Sequence, residues 1–572
     1  MRALFFVFLA LPGTSAFVAP LVRKSGHRLR AAEGTTDIVV VGSGIGGLCA
    51  GALLEKLGYS VTVVESHDRV GGCAHGFERK TKEGVFNFDS GPSLFSGCSA
   101  PSSNPLRQIL DAVGVDDLDW KTYKAWALYF PDGKDFATFR SSCGDAKDFG
   151  EELAKFGGPQ ERIYWKRLLE VNENLGHVIG ALPPIVLRPD PIGAVQTAAP
   201  YLKRRLDPLK FAKFGLSDLP FLKLDPSGPF SNLLEAAKIP KTSMTYRWFD
   251  FLAFALSGLP ATATSAAACS FMIKEFFSDN ATMEYPVGGS QAIADSLAKK
   301  CGTVLLKSHV TEILVDEQHR ASGVRLADNT IRHATVAVIS NAGVWNTEKL
   351  IKNIDIKDIK APPPKKTPPT PSFMHLHVAF AAKETDASWN HTMHHIIVND
   401  WNLPIDAEDN LVFIAIPSVL DPTAAPTGYH TLHAYLPATE PYERWQNLDR
   451  KSQEYKSLKE KRSGALWRAV ERFIPDIKDR QVLSMAASPL THERYTRRYQ
   501  GTYGPAWQAG KDSFPGHASS IPRLFCCGDS TFPGIGVPAV AGSAIAAAFS
   551  IASVTQHKRL LKEMDDSGTL PL

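Results

Sequence analysis

Three glycines spaced as Gly42-x-Gly44-x-x-Gly47 follow the apolar run Ile38-Val-Val-Val41, and a carboxylate, Glu65, closes the next apolar run, Val61-Thr-Val-Val64. Residues of these types at this spacing suit the binding of a nucleotide diphosphate. The first glycine allows a tight turn, the second lets the main chain approach a pyrophosphate, and the third lets a helix pack close to the strand behind it. Gly46 lies inside the same turn. A helix N-terminus placed there offers free N–H groups to an anion, and Glu65 can accept hydrogen bonds from adenosine ribose hydroxyls. Three elements must position this chemistry: a buried strand ending at Val41, a helix from Leu48 to Leu57 stopped by Gly58, and a second strand reaching Glu65.

The sequence continues as Glu65-x-x-x-Arg69-x-Gly71-Gly72 and then Phe88-Asp89-Ser90-Gly91-Pro92. With these additions it resembles the FAD-binding flavoproteins that include amine oxidases and carotenoid desaturases and isomerases. The resemblance implies FAD rather than NAD, with Arg69, Gly71 and Gly72 along its diphosphate and ribityl chain. Near the C-terminus, Leu524-Phe525-Cys526-Cys527-Gly528-Asp529 reads as a strand delivering Gly-Asp, and a helix of small residues is predicted from Ala539 to Val554. Asp529 beside Gly528 can accept a hydrogen bond from a ribityl hydroxyl, and the N–H groups near Gly536 and Val537 can meet the flavin O2. A Gly-Gly turn at Gly288-Gly289 opens a predicted helix from Gln291 to Lys300. Strands are predicted at 303–308, 310–316, 323–326 and 334–341. The resemblance implies that Val310 holds the adenine through its backbone.

The runs Pro489-Leu-Thr-His-Glu-Arg-Tyr495, Gly501-Thr-Tyr-Gly504 and Gly528-Asp-Ser-Thr-Phe-Pro-Gly-Ile-Gly-Val537 resemble the carotenoid isomerase branch of the phytoene desaturase superfamily. This implies an α/β fold: a Rossmann-like FAD-binding lobe assembled from residues 35–100, 280–345 and 485–556, with a helical or mixed substrate lobe from 101–279 and 346–484. Residues 100–270 read as mainly helical and apolar. Between 346 and 484, one alternating strand, Met374 to Phe380, and a helical stretch, Arg444 to Phe473, stand out. The implied activity is cis/trans isomerisation of a long polyene by reduced FAD without net redox change. Desaturation and hydration on the same scaffold are the enzymatic alternatives, and a prenyl-lipid carrier that has shed flavin is the non-enzymatic one. The electron partner stays open.

No catalytic acid or base is singled out, and three candidates remain. Asp250, in the aromatic run Arg247-Trp-Phe-Asp-Phe-Leu-Ala-Phe254, is either a proton donor or a buried partner of Arg247. His492 and Tyr503 lie beside the flavin motifs. His375 and His377 share one strand face and are too few to hold a metal, so a solvated or hydrogen-bonded strand face is expected there and no metal site is assigned.

The 572 residues are enough for two lobes, and the formal charge of +4 gives no reason to expect nucleic acid. The eight scattered cysteines suggest neither a disulfide framework nor a zinc site. The first 32 residues join an apolar run, Ala3 to Leu11, to a basic, acid-free stretch from Phe17 to Ala32. They read as a signal followed by a transit peptide, the bipartite leader of algae whose plastids lie behind an extra membrane. This predicts a complex plastid, at its stroma or a membrane surface. Apolar residues from Leu175 to Leu224, with the basic cluster Lys203-Arg204-Arg205, suit either a peripheral membrane contact or a soluble helical cap.

Overall fold

The computed structural model describes residues 34–571 except 92, 133–134, 145, 180–181, 206–224, 279–280, 353–366, 390–391 and 513. The predicted leader and residues 206–224 of the apolar stretch that runs from Leu175 to Leu224 lie outside the described residues.

The first strand, Thr35–Val41, is almost wholly buried because its Ile and Val side chains are covered on both faces, as a central parallel strand requires. It pairs in parallel with Val61–Val64 on one side and Ile331–Ser340 on the other. Thr303–Leu305 extends the sheet beyond Val61–Val64, while Ala321–Leu326 and Val310–Val315 add an antiparallel edge beyond Ile331–Ser340. Leu524–Cys526 pairs in parallel with the end of Ile331–Ser340, which makes a seven-stranded sheet from three distant stretches of chain. The helix Ile45–Lys56 packs on this sheet, and Val537–Ile551 packs on that helix. Both are rich in Gly and Ala, so their axes can approach closely. The helix predicted at 539–554 spans Val537–Ile551, starting two residues earlier and ending three earlier, and a last helix, Val554–Asp566, follows with a full capping box at Ser553 and Gln556.

A second seven-stranded sheet lies in the order Gln481–Ala487, Ser372–Ala381, Tyr429–Glu440, Leu411–Ala415, His394–Val398, Ala125–Asp132, Asp135–Ser142. All neighbours are antiparallel except His394–Val398 with Ala125–Asp132. The mainly helical reading of 100–270 holds for most of that stretch, but it missed Trp120–Tyr123, Ala125–Asp132 and Asp135–Ser142, which are strands. The cause is visible in the residues. Trp126, Leu128 and Phe130 alternate as a buried strand face, and Asp132 pairs with Asp135 so that only Gly133 and Lys134 separate the two strands. Helices do fill most of the remainder, including Gln160–Ile179, Met244–Ser257 and Ala266–Phe276. Their core is aromatic, with Trp248 touching Trp126, Phe139, Phe149 and Phe251. All eight cysteines are free thiols, and no helix among the described residues is long and apolar enough to cross a membrane.

Candidate functional site

Gly42 takes φ 91°, a conformation that favours glycine, and its N–H donates to the Val64 carbonyl at 2.8 Å, which pins the turn between the first two strands. A β-carbon on Gly47 would fall 2.2 Å from the Gly42 carbonyl oxygen, so this glycine is the one that brings helix and strand together. On Gly44 and Gly46 a β-carbon would meet the Asn341 side chain at 2.7 and 2.8 Å. The main chain after Gly44 turns at once into the helix Ile45–Lys56, which has no side-chain cap, leaving its first-turn N–H groups without helical acceptors. Across from them, Gly71 donates its N–H to the Ser43 carbonyl at 2.9 Å and bridges to Gly44. The Arg69-x-Gly71-Gly72 loop is therefore clasped against the glycine turn. A β-carbon on Gly72 would lie 2.9 Å from Gly44 Cα.

Glu65 is buried, and the chain itself fixes its carboxylate. Oε2 accepts from the Ser43 N–H at 2.8 Å and the Ser43 hydroxyl at 2.7 Å, and Oε1 accepts from the His67 N–H at 2.7 Å and, more weakly, from the Ser66 hydroxyl at 3.3 Å. Ser308 donates its N–H to the Glu65 carbonyl, which brings the start of Val310–Val315 beside it, with Val310 buried at the sheet edge.

Gly528 takes φ 102° and donates its N–H to Ser543 Oγ at 2.8 Å. Asp529 forms an ion pair with Arg498, whose guanidinium also donates to the Thr502 carbonyl at 2.8 Å and the Tyr503 carbonyl at 2.6 Å. Sequence reasoning missed this partner, although Arg498 stands inside the Thr496-Arg-Arg-Tyr499 run. Asn341 was missed as a site residue too; the signal was an amide side chain ending a buried strand directly before Ala342-Gly343.

These parts line one cavity of about 1270 Å³. Of the nucleotide-binding candidates, Gly42, Gly44, Gly46, Glu65, Arg69, Gly71, Gly72, Val310, Gly528, Asp529, Gly536 and Val537 line it, and Gly47 stands behind it as the packing glycine. From the C-terminal helix start the cavity continues between Met244–Ser257 and Ala266–Phe276, where Leu252, Leu256, Ala268, Phe271, Met272 and Phe276 face it. Its volume exceeds the roughly 300–1,000 Å³ of an ordinary ligand pocket. Backbone that tolerates no β-carbon, a helix start with free N–H groups, and carboxylates at both ends fit a dinucleotide, with an apolar gallery left over.

The three acid–base candidates separate. Asp250 does not line the cavity. It forms no ion pair with Arg247 and accepts instead from the Ala261 N–H at 2.7 Å, closing the turn after its own helix; burial raises its pKa against that hydrogen bond. Tyr503 lines the cavity, but its hydroxyl donates to the Ala255 carbonyl at 2.7 Å, and burial raises its pKa. His492 also lines it, stacked on His375 and 4.0 Å from Cys73 Sγ; burial, with the Arg498 charge nearby, pushes it down to about 3. It is a neutral imidazole at ordinary pH.

His375 and His377 share a face as expected, but that face is buried and hydrogen-bonded rather than solvated. His375 Nδ1 meets His433 Nε2 at 3.0 Å, His377 Nε2 meets the Asp89 carbonyl at 3.0 Å, and His377 stacks on His433 with centroids 4.2 Å apart. Among the described residues no group of three or more His, Cys, Asp or Glu side chains is arranged to hold a metal ion.

The family profile described as flavin containing amine oxidoreductase matches residues 45–552. The chain is 30% identical over 534 residues to prolycopene isomerase 1, chloroplastic, of an Oncidium hybrid cultivar, covering 90% of this chain and 84% of that one. It is 29% identical over 550 residues to a neurosporene-forming phytoene desaturase of Rhodobacter capsulatus, covering 89% and 93%. An oxidoreductase from Methanosarcina mazei has a similar fold, with TM-score 0.54 at 16% identity over 89% of this chain and 98% of that one. Glycine turn, clasped loop, Gly-Asp strand and sequence relatives agree on one assignment: the chain belongs to the flavin containing amine oxidoreductase family, in the part of it that holds the prolycopene isomerases and phytoene desaturases.

Proposed function

We propose that this protein is an FAD-dependent carotenoid cis/trans isomerase of the prolycopene isomerase kind, working in a plastid. The observation that carries the reading is the single cavity running from the glycine turn into an apolar gallery, in a chain 30% identical to a chloroplastic prolycopene isomerase over nine-tenths of its length. In this reading Glu65 takes the adenosine ribose, Ser66 being its weakest existing partner, and Val310 meets the adenine. The turn at Gly42, Gly44 and Gly46 with Arg69, Gly71 and Gly72 holds the diphosphate, with Gly47 packing the helix behind it. Gly528 and Asp529 take the ribityl chain, and Gly536 and Val537 face the ring. Residues 35–100, 280–345 and 485–556 then form the FAD lobe, and 101–279 with 346–484 form the substrate lobe.

The bound flavin would supply reversible charge transfer to a polyene. The chain's own task is to orient a long apolar substrate and keep water and stray protons away. Tyr503 spends its proton on a main-chain carbonyl and His492 stays neutral, so neither is poised to protonate a polyene, which favours redox-neutral isomerisation over hydration. Glu275 is a carboxylate at the apolar end, held by the Ser103 hydroxyl at 2.6 Å, where a hydratase would find an acid.

Ile192 and Val195 stand 64% and 50% exposed on the helix Pro191–Arg205, just after the cavity-lining Leu187 to Pro189. This supports a shallow membrane contact through which a carotene would enter. The decisive experiment incubates the flavin-loaded protein anaerobically with a poly-cis carotene. An extended isomer of unchanged mass, formed without an electron acceptor, supports the proposal. Loss of two hydrogens with acceptor reduction identifies a desaturase, and gain of one water that Glu275→Gln abolishes identifies a hydratase. A fluorescent fusion of residues 1–32 tests the compartment; secretion into the medium would refute the plastid.

A further inference from the structure

We propose that Arg498 is a positioning residue that sets the redox poise of the flavin, its fixed positive charge favouring the reduced form over the oxidised one. The inference rests on the flavin reading above and extends it to a residue outside the nucleotide motifs. Arg498 lines the cavity with its side chain only 18% exposed, paired with Asp529, which is 17% exposed. Two further donors of its guanidinium are tied to main-chain carbonyls. The Thr502 and Tyr503 carbonyls belong to a turn in which Thr502 Oγ1 donates to the Thr370 carbonyl at 2.6 Å, and a β-carbon on Gly501 would fall 2.6 Å from the Pro489 carbonyl oxygen. On either side, Arg497 and Gln500 hold φ values of 57° and 52°, which non-glycine residues seldom adopt and which concentrate at functional sites. The backbone is bent to aim this one guanidinium.

Asp529 is the ionised group paired with it, and the other polar side chains in contact add no charge. Cys73 Sγ sits 3.8 Å from Nη1, but burial holds that thiol above its usual range, and His492 is neutral. The pair stands next to the start of the C-terminal helix. A β-carbon on Gly504 would lie 2.3 Å from Ile535 Cδ1 and 3.8 Å from Asp529 Oδ2, and Ile535 precedes the unpaired N–H groups of Val537–Ile551. Two electrons and one proton from an external reductant turn oxidised flavin into an anion, so the bound cofactor gains one negative charge. A fixed cation in a largely buried site favours that change, and a fixed anion opposes it. An isomerase that works with reduced flavin and returns its electrons gains from a site that holds the reduced form more tightly.

The test titrates added FAD, oxidised or reduced with dithionite, into the wild-type protein, Arg498→Gln, Arg498→Lys and Asp529→Asn, and measures the ratio of the two affinities. Arg498→Gln should lower the preference for reduced FAD by about tenfold, ~30 mV for a two-electron couple. Asp529→Asn should raise it, and Arg498→Lys, which keeps the charge but loses the fork, should stay within about threefold of wild type. A merely structural role would weaken both flavin states alike and leave the ratio unmoved in all variants. Because FAD is added in the titration, a variant that loses flavin on purification is still read, and if Arg498→Gln fails to fold, the direction of Asp529→Asn decides. Equal ratios, or shifts of Arg498→Gln and Asp529→Asn in the same direction, overturn the proposal alone. A wild-type chain that binds neither form of FAD overturns the flavin reading and this proposal with it.

Discussion

The two seven-stranded sheets close their surroundings by opposite means. Around the nucleotide sheet the decisive contacts are main chain against main chain, at Gly47, Gly71 and Gly72, where an added carbon would press on backbone atoms, and Gly42 adds a turn at φ 91°. Around the second sheet the decisive contacts are large rings: Trp248 with Phe139 and Phe149, Phe413 on Tyr435, and imidazoles stacked on imidazoles. The first region is specified by what its residues lack, and the second by volume and by a stacked cluster of neutral histidines. Damage should therefore separate, with flavin lost from one and packing lost from the other.

Acid should give the largest separation. Burial holds His377 at about 4 and His394 and His492 at about 3, against 6.5 for the exposed side chain. Between those values the unfolded chain binds protons that the folded chain refuses. Stability is thus fully present above pH 6.5 and falls as pH drops toward 4, by up to roughly 1.4 kcal/mol per pH unit for each histidine. Hydrogen exchange should show Ser372–Ala381 and His394–Val398 losing protection before Thr35–Val41 does. Simultaneous loss, or none above pH 4, would break the contrast between the regions.

Trp248→Ala comes next. Its indole is fully buried among four aromatic rings, so truncation should cost about 3–5 kcal/mol. Denaturant unfolding checks this, and the surviving folded protein should retain flavin. Gly47→Ala should cost up to about 3 kcal/mol, because a methyl pressed on the Gly42 carbonyl oxygen must force helix and strand apart, and it should reduce flavin content where Trp248→Ala does not. Absorbance of bound flavin in the two variants reads the crossover directly. Glu65→Gln should be the mildest, weakening FAD by roughly tenfold, about 1.4 kcal/mol, with thermal stability near wild type. Unchanged affinity there would mean that the four hydrogen bonds from Ser43, Ser66 and His67 make Glu65 a brace for the turn and nothing more.

The same contrast explains what was legible in advance. Glycines at fixed offsets announce themselves because no other residue fits, so the first strand, the helix and Glu65 could be placed from spacing alone. The strands Ala125–Asp132, His394–Val398, Leu411–Ala415 and Tyr429–Glu440 went unread because their pairing partners lie far away in sequence and aromatic runs look alike in a buried helix and a buried strand. Asp250 drew notice for its aromatic neighbours, yet only the three-dimensional path shows its carboxylate turned to Ala261, away from Arg247. Arg498 was hidden for the opposite reason: a basic residue in a Thr-Arg-Arg-Tyr run gives no hint that the distant carboxylate of Asp529 will meet it.

The late arrival of Leu524–Cys526 in the nucleotide sheet sets a clock on synthesis. Ile331–Ser340 can find Thr35–Val41 once it leaves the ribosome, but the place beside its last three residues stays unfilled until almost the whole chain has been made. At about 5–20 residues per second, the gap between Ser340 and Leu524 lasts roughly 10–40 s. Throughout that interval the nascent protein presents an apolar parallel edge, Val338 to Ser340, with nothing of its own to pair with it. A chaperone that covers this edge until Leu524–Cys526 emerges would guard it against pairing with another chain.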